Sequence, residues 1–215
     1  MKYSANITDD NGIKRTVSVN TEDSIEAVKN DYSEVIKKYN PDVVTFSRIR
    51  PEAGEAMRFK VTVNAPSHYL TSGDDKDPKP CSSMTATIAV KMGYPLVKVE
   101  AFYAPDHFLA SPNVFTSTPG KACIDTWYPF KSSLITTVDK LVRDMIHDPS
   151  VTRYDSMANY SMEAWHKKGV REKRFPTIDP SCIYAKESGY SRSNASRRVA
   201  AALPPRAPAL PPRGH

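Results

Sequence analysis

An apolar stripe along residues 134–146 constrains the fold more than any other feature of this sequence. Its members recur at positions i, i+1, i+4, i+7, i+8, i+11 and i+12, the spacing of one helix face. Ser132 or Ser133 can cap this helix, and Asp148-Pro149 stops it. Such a face must be buried against another element. The stripe consists of Leu134, Ile135, Val138, Leu141, Val142, Met145 and Ile146.

The residues before this helix predict another helix followed by four strands. An apolar stripe indicates a first helix over residues 23–39, which Asn40-Pro41 ends. Consecutive strands with helices at the ends predict an α+β domain, with the helices packed on an antiparallel sheet. The strand candidates are residues 43–49, 57–64, 84–90 and 96–103, with a polar loop at 72–83 between the second and the third, and a short last helix is expected at 156–168.

The two ends of the chain lie outside this pattern. Residues 3–8 and 13–19 are rich in β-forming residues and flank the turn cluster 9–12, so residues 1–20 predict a β-hairpin extension. Residues 186–215 are rich in Ser, Arg, Ala and Pro and predict a disordered tail. The tail contains a P-x-x-P-x-R match at 208–213, which is common in such compositions. Residues 21–185 are left as the folded domain.

Charge and cysteine usage narrow the function classes. The net charge is +6, but the tail holds six Lys/Arg against one acidic residue, so the domain is almost neutral and no nucleic-acid groove is implied. No run of about 18 apolar residues is present, so we expect no membrane span and, by default, a cytoplasmic location. Cys81, Cys123 and Cys182 are odd in number and widely spaced, which predicts no disulfide framework, metal site or cofactor, and favours a reducing compartment.

The segment 111–129, SPNVFTSTPGKACIDTWYP, places Cys123 after an Asn-containing loop and before a Trp-x-Pro turn. Further short motifs occur in a fixed order around it. They are Pro66-x-x-Tyr69, Tyr94-Pro95, Pro112-Asn113, Gly120-x-x-Cys123-Ile124-Asp125, Trp127-Tyr128-Pro129, Asp148-Pro149 and Asp155-Ser156-x-x-Asn159.

These motifs and the element order together resemble the ubiquitin-conjugating enzymes. The resemblance covers residues 24–168 and implies that family's fold: a four-stranded antiparallel meander with flanking helices, here with an extra N-terminal hairpin. Ser111 stands where the family usually has His, and Asn113 and Cys123 are ten residues apart, two more than usual. Such departures are similar to the stand-alone conjugating enzymes of bacterial ubiquitin-like antiphage systems.

The resemblance implies roles for four residues. Cys123 would carry a ubiquitin-like modifier as a thioester and pass it to a lysine of an acceptor protein. Asn113 would support the active-site loop or stabilise the oxyanion, although an Asn after Pro also favours a turn. Asp155 and Ser156 would form a polar gate that orients the incoming lysine, or would cap a helix. Implied partners are the modifier, an activating enzyme, the acceptor and a deconjugating protease of the same pathway, without nucleic acid, membrane or cofactor.

Two other interpretations stay open at this level. A binding module on the same fold would have lost catalysis, and Ser111 in place of His is compatible with that loss. A thiol hydrolase would pair Cys123 with His107 or His147, although the Asp125 and Trp127-Tyr128-Pro129 context disfavours it. Asp148, Asp125, Trp127 and Trp165 are expected to be structural, and Lys29, Lys37 and Lys38 to lie on the polar side of the first helix.

Overall fold

The computed structural model of this chain describes residues 1–8, 14–123 and 132–186. Nine strands and three α-helices lie within these ranges, and none of the helices is long and apolar enough to cross a membrane. The strands are β1 (Lys2–Thr8), β2 (Lys14–Asn20), β3 (Val44–Ile49), β4 (Glu55–Val63), β5 (Ser67–Leu70), β6 (Lys79–Cys81), β7 (Met84–Lys91), β8 (Glu100–Phe102) and β9 (Phe108–Leu109), and the helices are α1 (Thr21–Lys38), α2 (Leu134–Met145) and α3 (Glu163–Arg171).

The central sheet is antiparallel, with the strand order β3-β4-β7-β8. Along β4 the side chains alternate between the core and the other face, as a half-buried strand requires. Phe59 and Val61 on this strand are fully buried and pair in register with Ile88 and Ala86 of β7. The α+β class and the four-stranded antiparallel sheet predicted from sequence are therefore confirmed.

Helix α1 packs on this sheet through a stripe of buried side chains. Asn20 caps the helix, because its side-chain oxygen accepts a hydrogen bond from the Asp23 backbone N–H at 2.8 Å. Val28, Tyr32 and Val35 face the core, and the Tyr32 ring meets the Phe59 ring edge-on with centroids 4.8 Å apart. The helix begins two residues before the predicted start and ends one residue before the predicted end.

Helix α2 follows the predicted apolar stripe. Ser133 caps it with a reciprocal pair of hydrogen bonds to Thr136, so the second of the two candidate caps is the one used. Leu134, Val138 and Val142 are fully buried against the rest of the core. The Tyr94 hydroxyl joins the two helices, since it donates to the Asp31 carboxylate of α1 and accepts from the Leu134 backbone N–H.

A second, three-stranded sheet with the order β6-β5-β9 was missed by the sequence analysis. The polar loop predicted at residues 72–83 contains β6 at its end. This strand includes Pro80 and lies at the sheet edge, the position in which a strand tolerates a residue without a backbone N–H. Its pairing comes from main-chain contacts with β5, which leave little trace in the hydrophobic pattern.

Two predicted element bounds were wrong. The strand predicted at residues 96–103 is shortened to β8, because the backbone N–H groups of Leu96 and Val97 both bond to the Gly93 carbonyl and form a turn there. The helix predicted at 156–168 begins only at Glu163, after a 3₁₀ turn (Tyr160–Met162) that Asn159 caps. Asn159 is held there by its own N–H bond to the Pro112 carbonyl.

The predicted hairpin is present as a separate two-stranded sheet of β1 and β2. Its Tyr3 ring covers Gly93, where an added Cβ would lie only 2.8 Å from the ring. Gly93 has a φ of +93°, so the turn before β8 and the docking of the hairpin both require glycine there. The predicted turn at 9–12, Asp125, Trp127-Tyr128-Pro129 and all but the first residue of the predicted tail lie outside the described residues.

Adjacent residues of α1 test its packing against the sheet. Val35→Ala should lower the free energy of unfolding by about 2 kcal/mol, because the Val35 side chain is fully buried. Ile36→Ala is the matched control, since Ile36 is 44% exposed, and it should change that energy by less than about 0.5 kcal/mol. Urea denaturation of both variants measures the difference, and equal losses would contradict the orientation of the helix.

Candidate functional site

Cys123 ends an extended segment, residues 120–123, that lies between two other stretches of backbone. On one side the Ala122 N–H donates to the Ala101 carbonyl of β8 at 3.0 Å. On the other side the Cys123 N–H donates to the Asn113 carbonyl at 2.6 Å. The backbone of Cys123 is therefore fixed by its neighbours, while its side chain is a free, half-buried thiol.

Gly120 allows this segment to lie so close to the strand beside it. Its φ is +85°, and an added Cβ would sit 2.6 Å from the Tyr103 carbonyl oxygen. The two residues are also hydrogen-bonded, because the Tyr103 N–H donates to the Gly120 carbonyl oxygen at 2.7 Å. A larger residue at position 120 would push residues 120–123 away from Tyr103, so the Gly-x-x-Cys spacing has a geometric reason.

The loop at residues 111–113 is held from below by Asp144 of α2. One oxygen of the Asp144 carboxylate accepts from the Ser111 hydroxyl at 2.8 Å and from the Asn113 side-chain amide at 3.0 Å. All three side chains are buried, and the Ser111 hydroxyl also accepts from the Asn113 backbone N–H. The loop is thus tied to the helix layer by a closed polar network beneath Cys123.

Burial raises the pKa of Asp144 to about 6, against the hydrogen bonds from Ser111 and Asn113, which lower it. The Tyr103 hydroxyl is also buried and has no hydrogen-bond partner, and burial, with the nearby Asp144 charge, raises its pKa well above the ordinary value. A carboxylate in such surroundings is costly to ionise. Protonation of Asp144 near pH 6 therefore changes the charge under the 111–113 loop.

This network favours one of the two roles considered for Asn113. Its side-chain nitrogen donates to Asp144 and makes a long 3.5 Å contact with the Val151 carbonyl. The amide hydrogens are therefore directed at the helix layer and at residues after it. Asn113 supports the loop through its side chain and holds Cys123 through its backbone carbonyl. The Ser111 hydroxyl donates to the Asp144 carboxylate and so supports the same loop.

Asp155 and Ser156 are both exposed, on the segment that follows Val151. The Asp155 carboxylate forms an ion pair with Arg153 at 3.3 Å, and the hydrogen bond from that guanidinium lowers its pKa. Two residues farther on, the N–H groups of Ala158 and Asn159 both donate to the Pro112 carbonyl, at 2.8 and 3.0 Å. The segment with Asp155 and Ser156 is therefore anchored to the same 111–113 loop that holds Cys123.

Neither histidine considered for a thiol hydrolase is bonded to Cys123. The His147 ring is fully buried among the rings of His68, Trp165, His166 and Phe175, and neither of its nitrogens has a hydrogen-bond partner. The His107 ring instead stacks on the Tyr69 ring, with centroids 3.8 Å apart. Among the described residues, no hydrogen bond joins the Cys123 thiol to a histidine that could act as its base.

The structure also gives the environments of the other two cysteines and of the lysines of α1. Burial raises the pKa of the Cys81 thiol, and Cys182 is exposed on a 3₁₀ turn (Pro180–Ile183). Lys29 and Lys37 are on the exposed side of α1, but Lys38 was assigned wrongly: it is buried and pairs with Asp139 at 2.6 Å. No three of the described His, Cys, Asp and Glu side chains are arranged to hold a metal ion.

Asp144 is the residue that sequence reasoning missed. The helix was predicted from its apolar members alone, and Asp144, which lies between Leu141 and Met145 in the sequence, was not considered. A signal was present, because a carboxylate in the last turn of a helix opposes the helix dipole. An unfavourable residue of this kind often indicates a special position.

A scan of protein-family models and a search of curated proteins gave no match to this chain.

Replacing Asp144 with Asn tests the buried carboxyl. Its folded pKa of about 6 lies above the ordinary 3.8, so its contribution to stability is complete at acid pH and is lost as the pH rises through 6. The free energy of unfolding of the natural chain, minus that of Asp144→Asn, should therefore fall by roughly 1–3 kcal/mol between about pH 4 and pH 7. Urea titrations at a series of pH values measure this difference.

Asp148→Asn is the matched control, four residues away. Burial alone would raise the Asp148 pKa, but the hydrogen bonds from Ser150 and the Arg143 charge lower it. Its contribution is present at neutral pH and lost in acid, so the corresponding difference should rise with pH. If the two differences in the free energy of unfolding changed in the same direction with pH, the assigned environments would be contradicted.

Proposed function

We propose that this chain has the ubiquitin-conjugating-enzyme fold and acts as a conjugating enzyme that carries a ubiquitin-like modifier on Cys123. Support comes from the order of elements: α1, the meander β3-β4-β7-β8, the cysteine segment and then α2 and α3. The β5, β6 and β9 sheet and the N-terminal hairpin are additions to that order. The observation that carries the proposal is the Cys123 N–H bond to the Asn113 carbonyl, which places the candidate thiol beside the candidate loop.

The reaction has two steps, and in each the acyl carbon of the modifier loses its bond to one sulfur as it forms a bond to the incoming nucleophile. In the first, the Cys123 thiolate attacks the thioester carbon of the modifier on an activating enzyme; a new carbon–sulfur bond forms and the activating enzyme's thiolate leaves. In the second, a lysine amine attacks the Cys123 thioester, a carbon–nitrogen bond forms and the Cys123 thiolate leaves. The first step exchanges one thioester for another, so it does not require a strongly activated thiol. The second converts a thioester into an amide, and the proton of the amine passes to the Asp155 carboxylate or to solvent, so no histidine base is required.

The surroundings of Cys123 suit an acyl carrier. Its backbone is held on both sides by hydrogen bonds, so the position of the sulfur is set by the sheet and by the 111–113 loop. The half-buried side chain leaves an approach for the acyl group. The exposed Asp155 carboxylate and Ser156 hydroxyl are on the segment anchored to Pro112, where they would orient the lysine and accept its proton.

The partners of this reaction follow from its chemistry. The modifier ends in a carboxylate that an activating enzyme converts to a thioester, and the acceptor presents a lysine. A deconjugating protease in the same pathway would reverse the product bond. We propose a cytoplasmic location, because a reducing compartment would keep the Cys123 thiol available. The departures of residues 111–129 from the usual family sequence are the basis for proposing a bacterial antiviral defence pathway.

A gel assay tests the carrier role. Purified protein is mixed with its cognate modifier, the activating enzyme and ATP, and the products are run without reductant. We expect a slower-migrating adduct that thiol reductant removes. Cys123→Ala should abolish it, while Cys81→Ala and Cys182→Ala should leave it unchanged. An adduct that persists in Cys123→Ala, or none with the correct partners, would refute the proposal.

A second assay tests the polar gate separately from loading. The thioester is formed first, and its loss to added lysine is then followed after the activating enzyme is stopped. Asp155→Asn should slow this discharge by about tenfold or more and leave loading unchanged, because the carboxylate acts only on the incoming amine. Asp42→Asn, at another exposed aspartate, is the control. Equal discharge rates for the two variants would make Asp155 a structural residue.

One observation favours a different function, a binding module on the same fold. The Asn113 amide is engaged by Asp144 and lies near Val151, so it would not serve as an oxyanion donor. A module of this kind would bind the modifier or a partner without a covalent step. The binding-module function would be supported if the chain binds the modifier but forms no thioester with any activating enzyme that is supplied.

A further inference from the structure

A cleft of about 400 Å³ lies beside the 111–113 loop, on the side of Thr116. One wall is the loop after β5, which contributes Gly73, Asp74 and Lys76. The other wall is the turn before α3, which contributes residues 158–161. None of the roles proposed above for Cys123, Asp155 or Ser156 uses this cleft.

The first wall is a well-ordered turn. The Asp75 carboxylate accepts from the Thr71 N–H and hydroxyl through one oxygen and from the Asp77 N–H through the other. Gly73 packs directly on the opposite backbone, where an added Cβ would lie 2.6 Å from the Thr116 carbonyl oxygen. This wall is therefore held in place before any ligand arrives.

The second wall contains a buried donor without a partner. Asn159 is only 2% exposed, and its side-chain oxygen accepts from the Ser161 N–H and hydroxyl at 3.1 and 2.6 Å. These two donors fix the orientation of the amide, so the other atom is the nitrogen. That nitrogen is buried and has no hydrogen-bond partner. Buried polar atoms in native structures usually have one, so a ligand atom is a reason for this exception.

The rim of the cleft adds an aromatic surface. Tyr160 is 73% exposed, although it is a large side chain next to a fully anchored segment. Asp74 and Lys76 are both exposed and bring opposite charges to the lining. A balanced pair of charges does not attract a polyanion, whereas an amide donor, an aromatic ring and mixed charges suit a polypeptide.

We propose that this cleft binds an extended segment of the acceptor polypeptide next to the lysine that is modified. A backbone carbonyl of that segment accepts from the Asn159 side-chain nitrogen, and a side chain lies on the Tyr160 ring. Because this nitrogen is shielded from water in the free protein, the second wall shifts slightly to admit the ligand while the first wall stays in place, and the bond then forms without competition from solvent. The placement agrees with the anchoring of residues 158–159 on Pro112, next to the residue that holds Cys123.

The identification of the ligand as an acceptor rests on the proposed function, but the binding of a polypeptide to the cleft can be measured without catalysis. Cys123→Ala protein labelled with ¹⁵N is titrated with the capped peptide acetyl-Gly-Lys-Gly-amide and, separately, with free lysine. A second peptide, acetyl-Leu-Gly-Lys-Gly-amide, supplies a side chain for the Tyr160 ring and is used for the affinities below. We expect both peptides to shift the Asn159 side-chain NH₂ signals, the leucine peptide to shift the Tyr160 signals as well, and free lysine to shift none of them. An unchanged Asn159 signal with the peptide would overturn the proposal, as would equal shifts with free lysine.

Two variants keep the test specific. Asn159→Asp retains the oxygen that accepts from Ser161, so the turn keeps its cap, and replaces the donor nitrogen with a second oxygen. Because this adds a buried carboxyl group, a thermal melt in parallel checks that the variant is folded. It should weaken peptide binding about tenfold. Tyr160→Ala should weaken it by a similar factor, and Ile36→Ala, at another exposed large apolar residue, should not change it. Binding equal to that of the natural chain in Asn159→Asp would overturn the assignment of the donor.

The discharge assay separates failure of this inference from failure of the proposed function. If Cys123 forms a thioester, Asn159→Asp should slow discharge to the capped peptide about tenfold and leave discharge to free lysine unchanged. Equal slowing with both amines would mean a general structural effect and would overturn the cleft. If no thioester forms, the conjugating function fails, and the NMR titration alone decides whether the cleft binds a polypeptide.

Discussion

The buried carboxylate of Asp144 connects the helix layer to the segment that carries the candidate thiol. Its oxygen holds Ser111 and Asn113, and the Asn113 carbonyl in turn holds the backbone of Cys123. The residue between them, Pro112, accepts from Ala158 and Asn159. Three separate stretches of chain therefore meet at this three-residue loop, and the loop takes its position from one side chain of α2. Inside a low-dielectric core such bonds are strong, and the loss of any one leaves a buried group unpaired.

Two acids at and just after the end of α2, Asp144 and Asp148, have different environments. Asp144 points into the core and accepts from the neutral donors Ser111 and Asn113, and burial raises its pKa in spite of these bonds and the Lys140 charge. Asp148 lies beyond the turn at His147, which has a φ of +57°, and it pairs with Arg143 and caps the 3₁₀ turn (Pro149–Val151). One acid positions the 111–113 loop and the other orders the chain that leads towards Asp155. Local geometry, not residue type, separates their roles.

The sequence was sufficient for the parts of the fold that depend on apolar periodicity. The stripe at 134–146 and the alternation along β4 are long and regular, so both the helix and the antiparallel sheet could be predicted. The β6 strand could not, because Pro80 and its polar neighbours pair through main-chain atoms at a sheet edge. The start of α3 depends on hydrogen bonds to Pro112, a residue far away in the chain. Cys123 and Asn113 were proposed as site residues from their motif, whereas Asp144 reaches their loop through a tertiary contact that no local pattern records.

The buried histidines also contribute to the pH dependence of stability in the range where Asp144 titrates. Burial lowers the pKa of His166 to about 4, and burial, with the charges of His166 and His68, lowers that of His147 well below its ordinary value. Both rings are neutral when folded, so their contribution is complete above the unfolded pKa of about 6.5 and is lost as the pH falls. Asp144 acts in the opposite sense over the same range, since folding there favours its protonated form. Burial also lowers the pKa of His68, so three histidines oppose one carboxyl, and acid should destabilise the fold even though it relieves Asp144. The two effects separate only in a comparison of variants, because the total pH dependence contains their difference.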